Sequence, residues 1–150
     1  MAKLLLAWVL ALASIANAAE LRAFVPIERA AHAYHEIDIA LDPFPFCGGM
    51  TSFDALWMGV PVVTLAQPLV AGRQTASMLA NLGLSELIAD SPAEYVRTAA
   101  ALARDAARLS GVRSSLRERF EASPLCDYER FTRDLERAYR EMWKAFLARA

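Results

Sequence analysis

Apolar and polar positions change rhythm several times along the chain, and each change marks an element. Ile37, Ile39 and Leu41 alternate with Asp38 and Ala40, the period of a strand over residues 37–41. Pro43 and Pro45 forbid its continuation in a sheet interior. Residues 51–58 are expected to be helical, with Gly59 as the stop. Residues 60–65, "VPVVTL", are apolar and β-branched in succession, which suits a strand buried on both faces. Upstream, residues 21–25 read as a short strand halted by Pro26, and residues 28–34 as a short helix. Strand, helix and strand at this spacing predict an α/β fold: a Rossmann-like parallel sheet with flanking crossover helices.

Beyond Leu65 the period becomes helical. A polar loop leads to a helix over residues 75–82, closed by Gly83. "SPAE" (Ser91, Pro92, Ala93, Glu94) is a capping box with Pro at the first helical position, so a helix starts there and runs to about Leu109. A further helix covers residues 112–120. The last, residues 128–147, aligns Phe131, Leu135, Ala138, Tyr139, Met142, Trp143 and Phe146 in one stripe. Trp57 and Trp143 lie on apolar faces and are expected in the core. The chain therefore ends in long helices.

The chain has 150 residues, 56% of them apolar and 22% charged, enough for one domain with a sizeable core and too apolar for disorder. A net charge of −1 with mixed signs leaves no basic footprint for nucleic acid. Cys47 and Cys126 are the two cysteines, and with two histidines they form no metal-ligand spacing, so no metal is expected. Residues 1–18 combine Lys3, an apolar run and Ala16-Asn17-Ala18, the order of a secretory signal. They read either as such a leader or as a spurious start, followed by a domain over residues 19–150. The apolar run falls short of the roughly 20 residues that span a bilayer, so no membrane association is expected of the mature form.

The chemistry concentrates in "DPFPFCGGMTSFDALWMGVP". In an open parallel sheet, ligands sit beyond the carboxyl ends of the strands. Gly48 and Gly49 permit close backbone approach there. The following helix start offers unpaired N–H groups beside the Thr51 and Ser52 hydroxyls, a setting that favours an anion such as phosphate. No Lys follows the glycines, so this is neither a P-loop nor a GxGxxG fingerprint. Asp54, expected in the first helical turn, either complements the helix dipole or accepts from sugar hydroxyls. Arg73 reads as a solvated loop residue with phosphate contact as the alternative. Asp42, before Pro43, is expected to be a turn residue, and Cys47 a filler of the loop. His32 and His35 are expected at the surface or in helix packing.

The stretch "YHEIDIALDPFPFCGGMTSFDALWMGVPVVTL", with "LANLGLSELIA" and "SPLCDYERFTRDLERAYREMW" after it, resembles the donor-binding, C-terminal part of the bacterial SPINDLY-like O-linked N-acetylglucosaminyltransferases. These are GT-B enzymes, usually with tetratricopeptide repeats upstream. The resemblance implies transfer of N-acetylglucosamine, or a related sugar, from a UDP-sugar to Ser or Thr hydroxyls of a protein, with no cofactor and no metal. It implies a UDP-sugar site that includes Gly48, in which Gly49, Thr51 and Ser52 meet the diphosphate and Asp54 the ribose. Three positions depart from the family pattern: Met50 stands where a Thr is usual, Ala30 where a phosphate-directed His belongs, and Ile27 where a Lys belongs. The family's catalytic residues belong to an acceptor-side domain upstream of the resembling region. The chain alone is thus expected to bind the donor at most, with a separate chain able to supply the missing domain. A non-catalytic binding module is the alternative. Nucleotide sugars point to the cytoplasm, and a true signal in residues 1–18 would point to export.

Overall fold

A computed structural model describes Leu4–Leu5 and residues 31–149. Among the described residues the sheet has four parallel strands in chain order: β1 (Leu4–Leu5), β2 (Ile39–Leu41), β3 (Val62–Leu65) and β4 (Ile88–Ala89). Leu4 pairs with Ile39, Ala40 with Val62, and Thr64 with Ile88. All four β3 residues are buried, so both faces of the sheet are covered, as the continuous apolar run predicts. The strand expected over residues 21–25, the start of the helix expected over 28–34, and most of the 1–18 leader lie outside the described residues. The two-residue β4 went unpredicted within "LANLGLSELIA" because so short a run shows no period.

Among the described residues, five helices of eight residues or more alternate with and then follow the strands: α1 (Met50–Trp57), α2 (Gln74–Asn81), α3 (Pro92–Arg104), α4 (Ala106–Glu121) and α5 (Tyr128–Leu147). α1 and α2 end at Gly59 and Gly83, at φ 77° and 68°, as read from the sequence. The expected break between the third and fourth helices falls earlier, at Asp105, whose carboxylate accepts from the Arg108 N–H and starts α4 afresh. Ser91 caps α3 by accepting from Glu94 N–H, and Glu94 reaches back to the N–H of Asp90.

α2 and α3 pack on β3, and α1 packs against α4. Phe120 of α4 is 1% exposed and meets the rings of Phe53 and Trp57 edge-on, at 4.6 and 5.4 Å between centroids. Three arginines of α4 tie down backbone carbonyls at the end of the fold away from the glycine turn. Arg113 donates to Ile37 and Asp38, Arg117 to Trp57, and Arg119 to Leu82. The Arg117 guanidinium also lies 3.3 Å from the centroid of the Trp57 ring. Trp57 is thus half-buried against the core, near its expected place. Trp143 is not: it is 61% exposed, and no residue of α5 is buried. The stripe on this last helix is amphipathic as read, but it faces solvent rather than the core.

Truncating Phe120 to Ala removes the ring that both aromatic partners pack against. The expected cost is about 3–5 kcal/mol of stability, readable as a lowered midpoint in urea denaturation.

Candidate functional site

The site grows from the carboxyl ends of β2 and β3, where each strand leads through a loop into a helix. Asp42 follows β2 and extends its ladder, its N–H donating to Val63 at 2.9 Å. Its side chain is 2% exposed. One carboxylate oxygen accepts from the Gly48 N–H at 2.8 Å and the Ser52 hydroxyl at 3.0 Å. The other accepts from the Thr64 hydroxyl of β3 at 2.6 Å. The Asp42 carbonyl accepts from the Tyr95 phenol of α3 at 2.9 Å. Asp42 is therefore more than the turn residue expected: it joins two strands, the glycine turn and the first turn of α1.

Two glycines make this closure possible. A Cβ on Gly48 would lie 2.5 Å from the Ser52 hydroxyl and 2.8 Å from that of Thr51. Gly49 takes φ 54° and ψ −114°, a region that L side chains rarely enter, and turns the chain into α1. No side chain caps α1. Thr51 N–H returns to Gly48 and Phe53 N–H to Gly49, whereas the N–H groups of Gly49, Met50 and Ser52 have no acceptor among the described residues. Unpaired N–H groups at a helix start are a ready anion site.

The second loop completes the wall. Cys47 donates to the Ala71 carbonyl through both its N–H and its thiol, each at 3.0 Å, and so fills the loop as expected. Gly72 packs where a Cβ would meet the Pro45 carbonyl at 2.5 Å. This zipper brings the start of α2 beside that of α1. The Gln74 side-chain oxygen lies 3.1 Å from the position a Cβ on Gly49 would take. Arg73 is the exposed N-cap residue of α2, which likewise has no side-chain cap. Two open helix starts thus stand side by side.

The structure places the expected residues unequally. Gly48, Gly49 and Thr51 surround the open helix start. The exposed Thr51 hydroxyl donates to the Gly48 carbonyl at 2.8 Å. The Ser52 hydroxyl is turned inward onto Asp42. Asp54 is exposed but sits in the second turn of α1, not the first, because the helix begins at Met50. Tyr34 stands beside it: its phenol donates to the Thr51 carbonyl, and burial followed by the Asp54 charge raises its pKa above 10.0. Met50 is 71% exposed. His32 and His35 are exposed, as expected. Ala30 and Ile27 lie outside the described residues. Thr64, Tyr95, Tyr34 and Gln74, and the clamping role of Asp42, escaped the sequence reading, since they come from pairings between distant segments. Among the described residues, no group of three or more His, Cys, Asp or Glu side chains is placed to hold a metal ion.

Asp42→Ala leaves a buried Thr64 hydroxyl and the Gly48 N–H without their acceptor, and is expected to cost about 3 kcal/mol or more. Asp42→Asn keeps an oxygen for the Gly48 N–H and the Ser52 hydroxyl, while its NH2 must donate to a re-turned Thr64 hydroxyl, so it costs less than Ala, the order to be read from urea denaturation. Burial, and then the Asp42 charge, also hold the Tyr95 phenol well above its ordinary 10.0. The unfolded chain releases this proton near pH 10.0 while the folded one retains it. Its contribution is thus complete below that pH and lost as the pH rises further. Thermal melts above that pH should show a shallower alkaline loss in Tyr95→Phe.

Comparison with known proteins bears on the same segment. The SPINDLY protein of Solanum lycopersicum, described as a probable UDP-N-acetylglucosamine–peptide N-acetylglucosaminyltransferase, is 45% identical over 114 residues, 76% of this chain and 12% of that protein. The UDP-N-acetylglucosamine–peptide N-acetylglucosaminyltransferase of Caenorhabditis elegans is 36% identical over 110 residues, 73% of this chain and 10% of that protein. A solved mutant O-GlcNAc transferase of Thermobaculum terrenum superposes with a TM-score of 0.73 at 44% identity, covering 79% of this chain and 23% of that one. The chain spans about an eighth of the length of the curated relatives it matches. The profile of glycosyl transferase family 41 matches residues 23–135. With three-quarters of its length inside that match, and with the α/β fold of a GT-B enzyme's C-terminal part, the chain belongs to glycosyl transferase family 41.

Proposed function

We propose that this chain is the donor-binding part of an enzyme that moves N-acetylglucosamine, or a related sugar, from UDP to protein Ser and Thr hydroxyls. The observation that carries the reading is the uncapped start of α1 at the carboxyl edge of a parallel sheet, shaped by two glycines and held by buried Asp42. The diphosphate lies against the N–H groups of Gly49, Met50 and Ser52. The Thr51 hydroxyl swings from the Gly48 carbonyl to a phosphate oxygen, and Gly48 keeps the backbone close. Asp54, one turn along, accepts from the ribose hydroxyls. Arg73, at the neighbouring helix start, is a cation candidate for the phosphates.

Chemically, the UDP leaving group gains negative charge as the sugar departs. Fixed N–H and O–H donors stabilise that charge without reorganising, so this end of the site needs no metal. The acceptor and the residues that activate it belong to parts of the relatives that this chain does not span, and a separate chain is one source of them. The donor places the reaction in the cytoplasm. Among the described residues, no helix is long and apolar enough to cross a membrane. One observation favours a non-catalytic binding module instead: Met50, a highly exposed thioether, takes the place of a hydroxyl at the mouth of the site.

Titrating UDP into the purified chain is expected to give a Kd below about 1 mM, roughly −4 kcal/mol. Asp54→Ala should weaken it about tenfold through the lost ribose contact. A folded sample that takes up no UDP sinks the donor-site reading.

A further inference from the structure

The first turn of α2 carries polar side chains that the fold itself does not use. Three described residues have a carboxamide. Gln67 donates to the Ala66 carbonyl and Asn81 to that of Ser77, whereas the Gln74 side chain has no hydrogen-bond partner among the described residues. Thr75 follows it, fully buried, and its hydroxyl is likewise unpaired among the described residues. Buried polar groups are normally satisfied, so neither side chain is explained by the bonding within this chain.

The place of Gln74 is set by the loop before it. The Cys47–Ala71 pair fastens that loop beside the glycine turn, and the Gln67 N–H closes it on the Gly72 carbonyl at 3.1 Å. With α2 so placed, the Gln74 oxygen lies 3.1 Å from where a Cβ on Gly49 would stand. Gly49 has no side chain of its own, so the Gln74 carboxamide takes the space over the turn.

A UDP-sugar is a linear ligand: ribose, two phosphates, sugar. Asp54 lies five residues beyond Gly49, about 7 Å along the helix. With the ribose at Asp54 and the diphosphate along the start of α1, the sugar leaves at the Gly49 end, where Gln74 stands. Phosphate oxygens only accept, and the N–H groups of α1 serve them. A sugar instead presents hydroxyl and acetamido groups that donate and accept, and a carboxamide does both from one planar group. We propose, resting on the donor-site reading above, that Gln74 contacts the sugar of the donor, pairing its carboxamide with those groups and so helping to set which sugar is taken.

Calorimetric titration of the full chain with UDP and with UDP-N-acetylglucosamine, side by side, tests this. In Gln74→Ala the Kd for the sugar nucleotide is expected to rise about fivefold or more, the loss of a hydrogen bond, while that for UDP changes less than about twofold. Gln74→Glu sets a carboxylate beside the diphosphate and should weaken both ligands. Neither change removes a hydrogen bond within the chain, so the parent circular dichroism and melting temperature should be kept. Equal loss of both ligands in Gln74→Ala, or loss of neither, overturns the sugar contact and leaves the donor site standing. So does a Gln74→Glu chain that holds both as tightly as the parent, or a parent chain that takes UDP but not the sugar nucleotide. A parent chain that takes neither overturns the donor site, and the sugar contact with it.

Discussion

The fold around the site depends on one buried carboxylate. Asp42 accepts three hydrogen bonds from three separate stretches of chain: the glycine turn, the first turn of α1, and β3. A carboxylate at 2% exposure is costly unless its lone pairs are occupied. Here each oxygen is occupied, and the donors gain as well, since Thr64 would otherwise bury an idle hydroxyl in the sheet. The interaction is charge-assisted and so stronger than neutral pairing. It fixes where Gly48 sits, hence where α1 begins and which of its N–H groups point outward.

The helix starts show how stability and binding are kept apart. α3, α4 and α5 each close their first turn with a side chain, from Ser91, Asp105 and Asp127. Such caps contribute about 1 kcal/mol each. α1 and α2 have none, and they are the two whose starts meet at the carboxyl edge of the sheet. The missing stabilisation is offset elsewhere, by the Cys47–Ala71 zipper, the Phe120 cluster, and the α4 arginines at the opposite end of the fold. Open donors can then face solvent without loosening the elements that carry them.

Much of this was legible in the sequence because it is local. Alternation gave β2, the β-branched run β3, and the Gly-Gly turn announced a close approach. The capping box began α3 at the residue it named. What stayed hidden is non-local. An Asp before a Pro has the statistics of a turn residue, and nothing near Asp42 in sequence reveals that Thr64 and Tyr95 come to meet it. Starting α1 one residue earlier than expected was enough to move Asp54 into the second turn, where the helix dipole acts on it less. Periodicity located the stripe on α5 and its width, but a period reports only that one face is apolar. It does not say whether that face is covered, which is why Trp143 was assigned to a core it does not join.

The same geometry decides which groups remain for a ligand at the start of α1. Three consecutive positions there could carry hydroxyls. Met50 carries none, and the Ser52 hydroxyl is given to Asp42, so Thr51 is the one able to turn outward, at the expense of its bond to Gly48. Backbone N–H groups therefore provide most of the donors in this turn. Those donors do not depend on side-chain identity, so substituting Met50 alters the mouth of the site while leaving its floor intact. They depend entirely on chain path, and the path is set by Asp42, by the φ of Gly49 and by the absence of a Cβ at Gly48. Binding at this turn is thus a property of the clamp beneath it more than of the residues that line it.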